Sequence, residues 1–227
     1  MADVGVEFEE LNLEDIGVEC FTISCGPRDK FLHILALLKF DLVLKKVLLF
    51  TNTIDMGFTL KLFLKKFGIR SAFLFTELPQ NSRLHIIQDF NSGLFDCLIA
   101  ITDDAIRDID FKNVCTVINL DMPLTVTGYI NGIGRERRVS NARTLIFLVS
   151  SDEMEAFGEL KSTFAPFPSL TRRMVESLRY QAEDIERTVR GGDVRRARAE
   201  AIHGTKFEDI LGTDTEDETL HIQFISK

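Results

Sequence analysis

The sequence predicts an α/β fold: a parallel sheet sandwiched by helices, with a C-terminal helical extension. Three observations predict it. Five apolar runs, Val47–Thr51, Ala72–Phe75, Cys97–Ile101, Val114–Leu120 and Thr144–Val149, lack the strict alternation of a half-exposed strand, and this is how strands buried on both faces read. The segments between them carry apolar residues at helical spacing. Strand and helix therefore alternate, which implies right-handed crossovers in one sheet with helices on both faces.

Taken in order, residues 1–20 form an acidic lead with little pattern. Phe21–Ser24 reads as a strand, and Gly26-Pro27 punctuates it. From Arg28 the spacing turns helical through Phe31, Leu32, Ile34, Leu35 and Leu38. After the strand ending at Thr51, Asn52-Thr53 supplies a cap for a helix carrying Phe58, Leu62 and Phe63, with Lys61, Lys65 and Lys66 on another side. Asn52 is the expected cap residue, and Gly68 stands where a helix of this length should close. Pro79 fits the first turn of the next helix, with Leu84, Ile87 and Phe90 on its core face and a stop near Asn91-Ser92-Gly93. His85, beside that face, reads as structural. Asp152–Phe164 reads as a helix after the last strand.

Pro166 and Pro168 mark a break. Beyond them Thr171–Ile202 has the composition of one or two arginine-rich helices divided at Gly191-Gly192, with acids interspersed along a solvated face. The expected organisation is 1–20 lead, 21–165 domain, 166–204 helical extension and 205–227 acidic tail.

The net charge of −8 argues against nucleic acid only until it is divided. The lead holds seven acids and no base, and the tail carries a net four negative charges, which leaves the middle at about +3. The bulk charge therefore does not exclude a phosphate-bearing partner. Of the four cysteines, Cys97 and Cys115 fall in expected buried strands, and Cys20 and Cys25 have no partners at metal spacing. A reducing compartment and no metal site are expected. The first twenty residues lack the basic start and apolar core of a signal peptide, and no run approaches the ~20 apolar residues of a membrane span, so a soluble intracellular protein is expected.

Chemistry concentrates between Cys97 and Arg138. The strand ending at Ile101 opens into Thr102–Asp110, which is rich in carboxylates, and the segment after Leu120 ends in Gly134-Arg135-Glu136-Arg137-Arg138. In open α/β sheets function gathers beyond the carboxyl ends of strands. Carboxylates and paired guanidiniums there suit a ribose hydroxyl and a polyphosphate. Arg135 and Arg138, three apart, share one face of a helix.

Four motifs in order resemble the second RecA-like domain of DEAD-box RNA helicases across residues 21–165. Val47–Thr53 (VLLFTNT) resembles motif IV, and Gln80–Arg83 resembles the QxxR segment. Thr102–Asp110 (TDDAIRDID) resembles motif V, and Tyr129–Arg138 (YINGIGRERR) resembles motif VI. Asp29–Leu32, Glu77–Pro79, Phe90-Asn91 and Leu178–Tyr180 resemble the nucleolar members that act in large ribosomal subunit assembly. The charged insert that those members often carry in motif V is missing.

The resemblance implies roles by position. Asp110 would accept a hydrogen bond from the ATP ribose, and Arg135 and Arg138 would reach the terminal phosphate as arginine fingers. Thr51, Gln80, Arg83 and Thr102 would face RNA phosphates, contacts that position a strand without reading its sequence. Arg107 matches the family too, and equally suits an internal ion pair with Asp103 or Asp110. Several positions depart from the pattern: Asn131 and Gly132 replace motif VI's histidine and first arginine, Asp108 replaces motif V's glycine, and Thr76 stands where a glycine usually precedes QxxR. The sequence contains no GxxxxGK(S/T) loop and no Asp-Glu-Ala-Asp tetrad. The phosphate cradle and Mg2+ site would then come from a first RecA-like domain, supplied in trans or by a longer gene product, and the chain alone should not hydrolyse ATP. Expected partners are RNA and pre-ribosomal proteins, with no membrane, in the nucleus and nucleolus. The competing reading is a non-catalytic helicase half that docks RNA or protein. An unrelated nucleotide-binding domain ranks last, because no glycine-rich loop follows Val47–Thr53.

Overall fold

The apolar runs become strands because β-branched and leucine side chains have helices to pack against on both sides. The computed structural model describes residues 18–101, 109, 111–121, 143–153, 164–189 and 191–203. Among them the chain forms β1 (Glu19–Cys25), α1 (Lys30–Lys39), β2 (Val47–Thr51), α2 (Ile54–Lys66), β3 (Ser71–Leu74) and α3 (Gln80–Ser92). It continues with β4 (Cys97–Ile101), β5 (Thr116–Asn119), β6 (Thr144–Ser150), β7 (Ala165–Pro166), α4 (Arg172–Thr188) and α5 (Gly191–His203). The seven strands form one sheet in the order β3-β4-β2-β5-β6-β1-β7, and every recorded pairing is parallel. All carboxyl ends therefore lie along one edge. The order reverses between β2 and β5: β2 leads through α2 toward β3 on one side, while β5 is followed by β6 on the other.

The predicted parallel sheet with its helical extension is what the structure contains. β2, β3, β4 and β5 are buried along their whole length. The core holds large side chains such as Phe58, Phe63, Phe73, Phe90, Leu48 and Leu49, each essentially inaccessible and each contributing about 1.5–3 kcal/mol by burial. Gly57 lets α2 press onto β3, since a Cβ there would sit 2.2 Å from the Phe73 ring.

Several expectations need correction. The cap of α2 is Thr53, whose hydroxyl accepts from the Met56 amide at 3.2 Å; Asn52 instead donates its backbone N–H to Asp121 Oδ2 at 3.0 Å. Lys61 is buried with the core face of α2 rather than set on the solvated side. The buried residues of α3 are Ile86 and Phe90, while Leu84 is 50% exposed and His85 is exposed. Ile87 and Phe90 pack on the core as expected, joined by Ile86, whereas Leu84 does not, so the inward stripe is centred on 86, 87 and 90. Glu19 and Cys20 belong to β1, so the lead ends sooner than residue 20. The break at Pro166 is itself the two-residue strand β7, paired to β1 through Phe21–Ala165 and Thr22–Pro166. Most of the helix expected at Asp152–Phe164 lies outside the described residues.

The extension is two helices as expected, but Gly191 and Gly192 open α5 rather than separate it from α4, and it is no detached appendage. Val175, Leu178 and Ala182 of α4 and Val194 and Ala201 of α5 are buried in the same core as the sheet. The face expected to be solvated is partly used for anchoring. Arg179 donates to both oxygens of Asp29 at 2.8 and 3.3 Å and also bonds Glu176. That clamp holds the Asp29 carboxyl below its ordinary value despite some desolvation. Burial pushes the thiols of Cys25 and Cys97 up to about 12, so both stay protonated and behave as small apolar groups.

Candidate functional site at the carboxyl edge of the sheet

In an open parallel sheet the crevice where strand order reverses is the expected ligand site. Here it lies between the ends of β2 and β5. β2 ends at Thr51, in register with Ile101 of β4, and β5 runs through Asn119 and Leu120 to Asp121. The two ends are joined by the Asn52 N–H bond to Asp121. Lys30, in the first turn of α1, lies beneath this junction and is 8% exposed. Its Nζ lies 2.8 Å from Glu153 Oε1 and 3.5 Å from Asp121 Oδ1. The other Glu153 oxygen accepts from the Ser150 amide at 2.8 Å and the Ser150 hydroxyl at 2.6 Å. One ammonium thereby joins the ends of β5 and β6 to the start of α1. Burial raises the Glu153 carboxyl, but hydrogen bonds from Lys30 and Ser150 outweigh it and leave the group below its ordinary value of 4.5.

A cavity of about 500 Å³ opens beside this junction, lined among others by Lys30, Phe31, Thr53, Met56, Leu120 and Glu186. Its walls are the first turns of α1 and α2 and the last turn of α4. Helix starts present unpaired amides and a positive dipole end, while Asp55 and Glu186 add carboxylates to the same walls.

The predicted RNA-facing residues separate on inspection. Gln80 opens α3 and is exposed. Pro79 precedes it as the cap residue with extended backbone and accepts from the Arg83 amide at 3.0 Å. Arg83 is half-buried, and its Nε is shielded from solvent with no hydrogen-bond partner among the described residues. A buried guanidinium nitrogen left unpaired is costly, and none of the described residues supplies a partner for this one. Thr51 is fully buried and its hydroxyl lies 3.3 Å from the Thr53 carbonyl, to which it donates; in this arrangement its side chain is turned away from solvent. Thr102, Arg107, Asp108, Asp110, Asn131, Gly132, Arg135 and Arg138 lie outside the described residues.

Sequence reasoning missed the Lys30–Asp121–Glu153 junction, because its members are brought together by topology alone. The only local signal was that Asp121 and Glu153 both follow an apolar run. Among the described residues no cluster of histidine, cysteine or carboxylate could hold a metal ion, and no helix is long and apolar enough to cross a membrane.

The helicase conserved C-terminal domain profile matches residues 29–140. DEAD-box ATP-dependent RNA helicase 16 of Arabidopsis thaliana is 48% identical over 228 residues, an alignment that covers 81% of this chain and 36% of that protein. ATP-dependent RNA helicase DBP9 of Yarrowia lipolytica is 33% identical, covering 80% of this chain and 42% of its own length. The chain thus spans little more than a third of the first of these relatives. Among solved structures, S. cerevisiae Dbp5 bound to RNA and ADP BeF3 superposes with a TM-score of 0.57 at 21% identity, over 76% of this chain and 46% of that one. At that identity the likeness speaks for the fold.

Proposed function

The chain belongs to the DEAD-box ATP-dependent RNA helicases by its conserved C-terminal domain, and from that premise we propose that it works as the second half of such an enzyme. It grips the RNA backbone and completes a nucleotide pocket whose cradle is on a first RecA-like domain. The observation that carries the RNA part is the first turn of α3. It stands at the carboxyl edge with Gln80 exposed and Arg83, half-buried, one turn further along the same helix. These are donors suited to phosphate oxygens, which position a strand irrespective of base. In this reading Thr102 adds a contact at the end of β4, while Thr51, fully buried and bonded to the Thr53 carbonyl, holds the β2–α2 turn without touching RNA.

The nucleotide part rests on the donor set in the sequence. Asp110 offers a carboxylate to a ribose hydroxyl, and Arg135 and Arg138 offer planar, permanently charged donors to a terminal phosphate. ATP would be shared with the first domain, and Mg2+ would be held by that domain's acids. By likeness to the nucleolar members, the work is large-subunit ribosome assembly, with pre-ribosomal RNA and proteins as partners.

Two measurements test this. The purified chain should bind single-stranded RNA weakly, with affinity falling steeply as salt rises, and replacing Gln80 and Arg83 together by alanine should abolish most of it. Mixed with a first RecA-like domain from a relative, the chain should restore RNA-stimulated ATP hydrolysis, and Arg135→Ala or Arg138→Ala should lower the rate by about 10³ or more. Absence of RNA binding at low salt, or hydrolysis indifferent to both arginines, would refute the reading. Asn131, Gly132 and Asp108 favour a second one, in which this half docks RNA without supporting hydrolysis. Intact RNA binding with no restored hydrolysis is its signature.

A further inference from the structure

Arg198 belongs to α5, well beyond the residues that match the family profile, yet it reaches back to the carboxyl edge. Its Nε donates to Glu77 Oε2 at 3.0 Å, and its Nη2 donates to the other oxygen of the same carboxylate. Nη1 lies 3.7 Å from Asp55 Oδ1. Glu77 sits in the turn that leads through Pro79 into Gln80, and Asp55 sits in the first turn of α2, just after Thr53. One side chain from outside the domain thus ties together the two segments that carry Thr51 and Gln80–Arg83. A guanidinium fork on a carboxylate fixes direction as well as distance. The fork is delivered by a docked helix, since Val194 and Ala201 of α5 are in the core and Ala197 and Ile202 pack against it.

We propose that Arg198 is a positioning residue for the RNA strand. It sets the angle between the β2–α2 turn and the start of α3, so that Gln80 and Arg83 face successive phosphates, and it acts through Glu77 and Asp55 rather than on RNA. The proposal rests on the RNA-binding reading above. Arg198 is itself only part-exposed and its guanidinium is engaged by carboxylates, so it has little donor capacity left for a phosphate. The helical extension then becomes a determinant of RNA affinity without contacting RNA.

The test uses the whole 227-residue chain and a short labelled single-stranded RNA, with binding read by fluorescence anisotropy and local order by amide hydrogen exchange. Arg198→Ala and Glu77→Gln should each weaken binding up to about fivefold, the ceiling for a part-exposed ion pair. Exchange should speed up at the amides of Leu78 and Arg83, which bond Phe75 and Pro79, and stay unchanged in β2 and β4. Arg198→Ala should add nothing to the residual binding once Gln80 and Arg83 are both alanine, and the charge swap R198E with E77R should recover binding. A further loss on top of the Gln80/Arg83 double alanine variant would mean that Arg198 touches RNA itself and would overturn the proposal. So would unchanged affinity and exchange in Arg198→Ala. If the Gln80/Arg83 double alanine variant keeps full binding, the RNA-binding reading falls and this proposal with it. If that variant loses binding while Arg198→Ala keeps it, only this proposal falls.

Discussion

Lys30→Met asks the most of the carboxyl edge. The substitution keeps the length of the side chain and removes the ammonium that lies 2.8 Å from Glu153 and 3.5 Å from Asp121. Both carboxylates stay behind, with side chains 24% and 16% exposed. Removing one partner of a buried ion pair costs about 3–5 kcal/mol because the other charge is stranded. Water reaches these carboxylates partly, and the screening reduces the cost to about 2–3 kcal/mol. For a domain of this size each kcal/mol moves the midpoint of thermal unfolding by about 2–4 °C, which gives a fall of roughly 4–12 °C. Urea and thermal unfolding of wild type and variant measure it. A companion variant, Lys30→Met with Asp121→Asn and Glu153→Gln, removes every charge at once and should recover most of the loss, since an uncharged trio strands nothing. If Lys30→Met stays within about 0.5 kcal/mol of wild type, or the triple variant is no better than the single one, the junction does not hold these strand ends together.

The same junction predicts a pH dependence. The Glu153 carboxyl is held below its ordinary 4.5, so its contribution is complete above that value and fades as pH falls through the lower folded value; acid unfolding of Lys30→Met should show a shallower response over this range. Gly57→Ala should destabilise the protein by up to about 2 kcal/mol although alanine is the better helix former, because the new methyl meets Phe73 ring carbons and overpacking costs about 1–3 kcal/mol against a helix gain of about 1. Phe73 cannot step aside, being stacked on Phe75 and edge-on to Phe58 at 4.9 Å each; chemical unfolding with and without Phe73→Leu tests this, and the pair together should lose less than the sum of the singles. Arg179→Ala should loosen α4 from α1 and speed limited proteolysis near Thr171, and a cleavage pattern unchanged from wild type would contradict the clamp on Asp29.

The central strands could be read from sequence because a strand covered on both faces needs apolar side chains at every position, and β2 and β4 supply them without interruption. The four motifs were legible for a different reason: they are contiguous, so residue type and spacing carry the resemblance without a fold in hand. What escaped depends on distance along the chain. Arg179 and Arg198 looked like members of a mixed-charge solvated face, but their partners are 150 and 121 residues away, and no local window shows them. Lys30 carries no local sign of burial, and only the meeting of β5 and β6 with α1 buries it. In α3 the apolar residues at 84, 86, 87 and 90 admit two stripes one residue apart, and the fold buries 86, 87 and 90 while leaving Leu84 exposed. β7 was invisible, since two residues, one of them a proline, carry no period.

That short strand has a consequence for how the protein behaves in concentrated solution. A row of free amides along an outer strand is a template on which other chains can build. At the margin beside β1 the template is two residues long, and one of them, Pro166, has no amide hydrogen to give. Growth by strand addition on β7 itself therefore has almost nothing to start from.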